Sequence, residues 1–267
     1  MREPVSWRCV AYNQATESEN KIHDDSVARR YGFRGGLVPG VTVYAYLVHP
    51  AIEAWGLDWL SRGSARIVLA KPVYEGDEVR VEPKPDGPGR YRGQVIDPQG
   101  AVCAEGDVAL PDDGAGLPVR RGDSAAPAPA QRPEATREAL EQLRLRGLGS
   151  LRGEWSGRYR YTPSENDVPE LVRPGGGGYA NAAFALGLAN GILSANVRLG
   201  PWIHVESEVR NRAAIPLGSR LTVEGRVVDL FARGGHEFVD LDVEVFIEPE
   251  RPALSVRHRA IYKLRAA

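Results

Sequence analysis

Two kinds of hydrophobic pattern alternate along this chain, and each predicts a different element. Long, almost uninterrupted apolar stretches cover GLVPGVTVYAYLVHPAIEAWG (36–56) and GYANAAFALGLANGIL (178–193). These stretches predict helices, and helices with no polar face must be enclosed by other parts of the protein.

Shorter segments of alternating polar and apolar residues follow each predicted helix and favour β-strands. The turn signals YEGD (74–77) and PLGS (216–219) separate the first two strands of each set. The predicted strands are 65–69, 78–82, 90–96 and 101–110 after the first helix, and 202–210, 220–224, 236–247 and 254–264 after the second.

The two sets of elements are spaced alike. Gly76 and Gly218 of the two turns lie 142 positions apart (218 − 76), and the same offset carries Gly40 to the start of the second helix. One constant offset through helix, strand and turn predicts a duplicated unit. Each unit has a short strand, a connecting loop, one apolar helix and four strands, so we expect an α+β fold in which an antiparallel sheet wraps one helix. Two such units can pair their sheets edge to edge.

A segment rich in proline, alanine and glycine separates the two units at 111–135, and its composition is typical of a linker. A polar helix with a weak apolar face of Leu140, Leu143 and Leu145 is predicted to follow, over about 134–146. The expected organisation is therefore an N-terminal domain at 1–112, a linker with its helix at 113–150, and a C-terminal domain at 151–267.

Composition narrows the range of functions. Of 267 residues, 42% are hydrophobic and 26% charged, and the formal net charge is −1, so no overall positive charge favours nucleic acid or an anionic membrane as a partner. Cys9 and Cys103 are too few for a disulfide framework and lack metal-ligand spacing, which predicts reduced thiols. Without an apolar leader or a membrane-length apolar run, we expect a cytoplasmic protein.

The segment SENKIHDDSVARRYGFRGGLVPG (18–40) carries the candidate chemistry. It places Asn20 and His23 in an acid-rich turn ahead of a helix start at Pro39 and Gly40. Histidine can move a proton, and free N–H groups at a helix start can stabilise developing negative charge, so the segment suits a carbonyl substrate. We expect Asp25 to cap the short helix that follows His23.

This segment resembles the motif of the MaoC-like (R)-specific enoyl-CoA hydratase and acyl dehydratase family, and the duplicated organisation resembles a double, or tandem, hot-dog fold. The resemblance implies hydration of a 2-enoyl-CoA or dehydration of a 3-hydroxyacyl-CoA, with an acyl-CoA or acyl-carrier thioester as substrate and no cofactor or metal. It also implies that the Gly40 N–H holds the thioester oxygen. The positions that match the family motif are Asn20, Ile22, His23, Asp25, Ala28, Gly32, Phe33 and Gly40.

The sequence departs from that motif at three positions. Lys21 stands in place of a proline, Pro39 in place of a histidine, and Ser18 in place of the family's catalytic aspartate. Hydration needs one group to take a proton from water and one to deliver a proton to the α-carbon.

The roles therefore divide as follows. His23 is the expected acid and base, and Asn20 positions the reactants. Glu19 or Glu17 replaces the missing carboxylate. Gly40 and Ser18 are the expected substrate-binding residues.

The second unit repeats part of the segment without its histidine. Ser164, Glu165 and Asn166 repeat Ser18, Glu19 and Asn20, but Pro169 follows where the first unit has His23. We therefore expect one site, with the second unit shaping the acyl tunnel. The glycine run at 175–178 lacks the Lys-Ser/Thr of a P-loop and predicts a flexible entrance loop. Structural or solvated roles are expected for the remaining histidines, His49, His204, His236 and His258.

Two other functions remain open. A hot-dog thioesterase would use Glu17 or Glu19 with an activated water and would release free CoA. A non-catalytic acyl or small-molecule binding protein would use His23 and Asn20 only as hydrogen-bonding groups. Exposed sheet edges also make a homodimer possible.

Overall fold

The strands of both units join into one antiparallel sheet, in a computed structural model that describes residues 2–111, 117–119, 121–122, 126–174 and 178–265. The strands are β1 (Trp7–Val10), β2 (Ser64–Leu69), β3 (Glu78–Pro85), β4 (Arg90–Ile96), β5 (Val102–Ala109), β6 (Leu151–Glu154), β7 (Ile203–Asn211), β8 (Arg220–Arg233), β9 (His236–Ile247) and β10 (Arg251–Lys263). The helices are α1 (Asp25–Arg30), α2 (Gly40–Arg62), α3 (Arg137–Arg146) and α4 (Ala182–Asn196).

The strand order is β1-β3-β4-β5-β2-β7-β10-β9-β8-β6. Read from either outer edge, the two halves of this sheet have the same order, which agrees with a duplicated unit. They join where β2 pairs with β7, and Ile67 stands opposite Ser207. The predicted pairing of two sheets edge to edge is confirmed. We call the part with β1–β5 the N-terminal half and the part with β6–β10 the C-terminal half.

The offset of 142 residues recurs in the tertiary contacts. The isolated bridge between Leu37 and Tyr74 has a counterpart between Tyr179 and Pro216 (179 − 37 and 216 − 74). The hydrogen bond from Val38 N to Val73 O, 2.8 Å long, is likewise repeated by Ala180 N and Ile215 O at 2.8 Å. Helix start, strand and turn therefore occupy equivalent places in both halves.

Helices α2 and α4 pack against each other on the inner face of the sheet. Helix α2 starts at Gly40, as predicted from Pro39 and Gly40, while the apolar residues before it are not helical and Pro39 has φ −54° and ψ 137°. It continues to Arg62, past the predicted end at Gly56, where φ of 53° interrupts the helical conformation. Glycine tolerates that positive φ without a steric penalty, so Gly56 bends the helix.

The long strand β8 is the main difference from the predicted strands. The pattern favoured a strand at 220–224, whereas β8 pairs with β9 as far as Arg233 opposite His236. Gly234 and Gly235, both with positive φ, form the two-residue turn between the strands. The sequence-based prediction stopped early because a bulge between Val227 and Asp229 interrupts the alternation after Glu224.

The polar helix that was predicted before the second unit is α3, capped by Thr136, whose side chain accepts from Ala139 N. Leu140 and Leu143 are buried as predicted, but Leu145 is exposed. Cys9 and Cys103 are both buried and free. Burial raises the pKa of the Cys103 thiol to about 11. No helix in the described parts of the chain is long and apolar enough to cross a membrane.

Candidate active site

The segment that carries the motif folds as a short 3-10 turn, Lys21–His23, followed by α1. Asp24 caps α1, because its backbone is extended and its carboxylate accepts from Val27 N at 3.0 Å. The predicted cap, Asp25, is wrong by one residue. The Asp25 carboxylate instead accepts from Gly36 N at 2.8 Å and ties α1 to the chain that leads into α2.

Asn20 connects the two halves. Its Nδ2 donates to the carbonyl oxygen of Trp202 at 3.0 Å, and its Oδ1 accepts from Trp202 N at 3.2 Å. The same Oδ1 accepts from Ile22 N at 3.3 Å, inside its own turn. Asn20 is therefore held by the C-terminal half, just ahead of β7, while it shapes the turn that carries His23.

The hydrogen bonds of His23 determine which ring nitrogen carries the proton. Nδ1 lies 2.7 Å from the carbonyl oxygen of Leu37, which can only accept, so Nδ1 is the donor. Burial lowers the pKa of His23 below its usual value of 6.5, and the Leu37 carbonyl opposes this only in part. The ring is therefore neutral at pH 7, and Nε2 has a lone pair. Asn20 Nδ2 lies 3.3 Å from Nε2, a long contact for a hydrogen bond.

Helix α2 starts beside His23 with open backbone amides. Pro39 precedes the helix and gives no side-chain cap, while its carbonyl accepts from Thr42 N and Val43 N. Within the described residues, the N–H groups of Gly40 and Val41 have no acceptor, as expected for the first turn of a helix. These amides form the positive end of the helix dipole.

A cavity of about 560 Å³ lies in front of this helix start. A second cavity of about 440 Å³ adjoins it. Both are lined by Asn20, His23, Pro39, Asn190 and Trp202, so the histidine stands where the two meet. The second cavity continues along α4 over a largely apolar wall that includes Phe184, Gly187, Leu188, Gly191 and Leu199. Polar side chains where the two cavities meet, with an apolar wall on one side, suit a ligand that has a polar reactive group and a hydrocarbon chain.

The candidate carboxylates do not reach this centre. Glu19 borders the second cavity, but its side chain is 75% exposed and forms a two-point ion pair with Arg132, with N–O distances of 2.8 and 3.1 Å. The hydrogen bond and charge of Arg132 lower the pKa of Glu19, so the carboxylate is ionised. Glu17 is exposed and Ser18 donates to Asn20 O at 3.2 Å. The structure thus brings together His23, Asn20 and Gly40, and leaves Glu17 and Glu19 outside.

Several cavity residues were not anticipated from the sequence. Trp202 comes from just before β7 and His204 from its start. Asn190 comes from α4 and presents a buried Oδ1 with no partner among the described residues. A structural role was expected for His204, whereas its ring lines the cavity. The sequence gives no local signal for these residues, because they reach the site only when the two halves pair.

The other predictions have mixed outcomes. His49 is buried, stacks on Trp7 and bonds to Tyr161, a structural setting. His236 lines the larger cavity, and its Nδ1 accepts from Arg265 N. Most of the glycine run at 175–178 lies outside the described residues. In the described part of the chain, no group of three or more His, Cys, Asp and Glu side chains is arranged to hold a metal.

Comparisons with known proteins bear on the fold. No family model matches the sequence, and no curated protein matches it significantly. The structure is similar to that of a conserved hypothetical protein of Mycobacterium tuberculosis described as having a double hot-dog fold. The two chains are 16% identical, with a TM-score of 0.60 over 98% of this chain and 96% of the other.

Two further similar structures are described as enzymes. One, from Chloroflexus aurantiacus, is provisionally described as a MaoC-domain dehydratase, with 10% identity, a TM-score of 0.53, and 97% and 96% of the two chains covered. The other, from Lactobacillus plantarum, is provisionally described as an oleoyl thioesterase, with 11% identity, a TM-score of 0.52, and 98% and 97% covered. At these identities the similarity establishes the fold alone. This chain has a double hot-dog fold.

Proposed function

We propose that the protein is an acyl-thioester lyase that hydrates a 2-enoyl thioester or, in the reverse direction, dehydrates a 3-hydroxyacyl thioester. The observation that carries this proposal is the unprotonated Nε2 of His23 beside the open amides of α2. A neutral base next to preorganised N–H donors suits a reaction that forms an enolate. The similarity to a protein described as a MaoC-domain dehydratase supports the same class of chemistry.

In this proposal His23 carries both proton transfers. During hydration Nε2 takes a proton from water while the water oxygen bonds to C3, and the electrons of the C2–C3 double bond move onto the thioester oxygen. The Gly40 N–H stabilises that enolate. Protonated His23 then delivers its proton to C2, so one water adds across the double bond. The long Asn20 contact to Nε2 is exchanged for the water, which Asn20 then positions.

The two cavities divide the substrate between them. The apolar wall along α4 would take the acyl chain, and the larger cavity would take the thioester and the start of its carrier arm. Lys71 and Arg265 line the larger cavity and are exposed. Their positive charges suit the phosphate of coenzyme A or of an acyl carrier protein.

A second candidate function is thioester hydrolysis. It is favoured by Glu19, an ionised carboxylate on the border of the second cavity, and by the similarity to a protein described as an oleoyl thioesterase. In this reaction Glu19 or His23 would take a proton from the water that attacks the carbonyl carbon. The thiolate would leave and take up that proton. The similar structures support both reactions equally.

One assay separates these functions. The protein is mixed with trans-2-enoyl-CoA of several chain lengths, and the absorbance of the enoyl thioester is followed beside a thiol reagent that detects free CoA. Loss of enoyl absorbance without free thiol is the expected result. Thiol release would replace the lyase proposal with hydrolysis, and its loss in Glu19→Gln would identify Glu19 as the base.

The matched control is Asn166→Ala, which removes the C-terminal counterpart of Asn20 from an exposed turn. It should behave as the wild type, whereas His23→Ala should be inactive. No change in either signal, together with calorimetric binding of a saturated acyl-CoA, would overturn both reactions. It would instead leave the protein as an acyl-thioester binder.

A further inference from the structure

Three buried polar side chains lie behind the cavity in the C-terminal half, away from the motif: His204, Ser207 and His258. His204 and Ser207 are three residues apart on β7, and regular alternation would place them on opposite faces of the sheet. A β-bulge between His204 and Glu206 shifts the register against β10, so both side chains face inward. Ser207 stands directly opposite His258 on β10.

These three side chains form a hydrogen-bonded chain. Ser207 Oγ lies 2.8 Å from His204 Nε2 and 2.8 Å from His258 Nδ1. The two ends of the chain are His204 Nδ1 and His258 Nε2, and both are buried without a hydrogen-bond partner among the described residues. Ser207 is fully buried between the two rings and does not line the cavity, so it is no nucleophile for a substrate there.

The free Nδ1 of His204 is at the start of α2. A Cβ atom on Gly40 would lie 2.6 Å from this nitrogen and 2.6 Å from Leu69 Cδ1. Only glycine at position 40 lets the imidazole come so close to the helix start. His204 is 5% exposed and lines the cavity into which the Gly40 amide opens. His204 Nδ1 and the Gly40 N–H therefore both lie at the start of α2, and neither has a hydrogen-bond partner among the described residues.

The hydroxyl of Ser207 has one proton, which restricts the tautomers of the His204 and His258 rings. It either donates to His258 and accepts from His204 Nε2–H, or donates to His204 Nε2 and accepts from His258 Nδ1–H. The first arrangement leaves an N–H of His258 unpaired in the core. The second places the unpaired N–H on His204 Nδ1, which is buried in the cavity wall against Gly40. Each arrangement leaves one buried N–H without a partner in the chain, but only that of His204 lies next to the cavity, where a ligand that accepts from it would satisfy it, so the second arrangement is favoured.

Both rings are neutral, as this arrangement requires. Burial lowers the pKa of His204 to about 3, and a backbone contact with Glu206 opposes the effect only in part. Burial, with the neighbouring His204, lowers the pKa of His258 well below 6.5.

We propose that His204 is a catalytic residue whose Nδ1–H donates to the thioester carbonyl oxygen beside the Gly40 amide, with Ser207 and His258 as positioning residues. This inference rests on the proposed function only in that the cavity binds an acyl thioester; it holds for hydration and hydrolysis alike. Two donors on one oxygen stabilise an enolate or a tetrahedral oxyanion better than one.

The test compares two ligands that differ in that oxygen. Saturated octanoyl-CoA has the thioester carbonyl, and the thioether S-octyl-CoA lacks it. The dissociation constants of both are measured by calorimetry with wild type, His204→Gln and His204→Asn. Glutamine can still reach Ser207 but removes the donor at Nδ1, whereas asparagine keeps a donor near Nδ1. We expect His204→Gln to weaken octanoyl-CoA binding about tenfold and S-octyl-CoA binding little, with partial rescue in His204→Asn.

NMR tests whether Ser207 positions the His204 ring. The ¹⁵N chemical shifts of the His204 ring should report Nδ1–H in the wild type and a mixture of tautomers in Ser207→Ala. Ser207→Ala should also lose part of the preference for octanoyl-CoA, and it carries the binding test if His204→Gln does not fold.

A failure of the role proposed for His204 can be distinguished from a failure of the proposed function. Equal loss of both ligands, no loss of either, or an Nε2–H tautomer in the wild type would overturn the role of His204 and leave the proposed function standing. Failure of the wild type to bind either ligand would overturn both.

Discussion

The two halves of this protein present the same helix start in two different settings. In the N-terminal half, the start of α2 faces a cavity of about 560 Å³. Its counterpart, 142 residues later at the start of α4, faces a space of only about 20 Å³. This small space is lined by Trp59, Leu60 and Tyr44 from α2, and Trp59 is almost completely buried. One half keeps the space and the other fills it with side chains.

The starts of α2 and α4 also differ in their caps, because only the start of α4 has a side-chain cap. The side chain of Asn181 accepts from Phe184 N at 3.0 Å and closes the start of α4. Pro39 cannot do this, so the amides at the start of α2 stay open. The turn ahead of α2 carries His23, and the turn ahead of α4 carries Pro169. A duplicated backbone therefore becomes one site through a few side chains.

The variant His23→Ala should have the largest effect on the open site of the N-terminal half. We expect turnover to fall by about 10²–10⁴-fold, since the proposed base is lost. Far-UV and near-UV circular dichroism should match the wild type, because His23 is half-buried at the cavity. A variant that unfolds would assign His23 to the structure and remove it from the chemistry.

The closed half can be opened by Trp59→Ala. Removing a fully packed aromatic side chain from a core costs about 3–5 kcal/mol. We expect the free energy of unfolding, measured in urea, to fall by that amount, with the turnover rate of the remaining folded protein unchanged. A loss below about 1 kcal/mol would mean that packing of Trp59 is not what closes the second site.

Acid should reveal the buried neutral histidines. Burial lowers the pKa of His49 and of His204 to about 3 in the folded protein. As the pH drops below 6.5, these histidines take up a proton in the unfolded chain but not in the folded protein, so stability falls. From pH 7.5 to pH 5, each such histidine should cost about 2 kcal/mol. Urea unfolding at the two pH values measures this. Equal stability would mean that the rings are protonated in the folded protein.

The same reasoning applies to activity. Neutral His23 is the proposed base, and its pKa is lowered by burial. The value of kcat/KM should therefore stay level from pH 8 down to 6.5 and fall only at lower pH, as His23 takes up a proton. A fall that begins above pH 7 would indicate a different base.

A smaller effect is expected from the paired variants Asn20→Ala and Asn166→Ala. Asn20 ties the His23 turn to the backbone of Trp202, so its loss should lower kcat/KM by about 10-fold, the effect of one or two hydrogen bonds. Asn166, the exposed counterpart, should have no effect. Equal effects of the two variants on kcat/KM would mean that the first turn has no special role.

The fold could be predicted from the sequence to a considerable extent, because its signals are local and repeated. The apolar stretch at 36–56, the strand patterns and the offset between Gly76 and Gly218 were enough to predict two helix-wrapping sheets. The full length of β8 was not predicted, since its pairing with β9 continues through a bulge that breaks the alternation.

The site was predictable only where one segment contains it. His23, Asn20 and Gly40 lie within 21 positions of one another, and the turn and helix start bring them together. His204, Trp202 and Asn190 enter the site from the other half, and no local pattern marks them. Glu19 shows the opposite case, since its nearness in sequence suggested catalysis, while its exposed side chain pairs with Arg132 at the border of the second cavity.

The sequence by itself determined the elements, the duplication and the segment that carries the histidine, because hydrophobic periodicity and turn residues act over short distances. Only the tertiary structure decided which half has the open site, which carboxylate is excluded and which distant histidine faces Gly40. These outcomes depend on how β2 pairs with β7 and how α2 packs on α4, and such long-range contacts leave no trace in the spacing of residues along the chain.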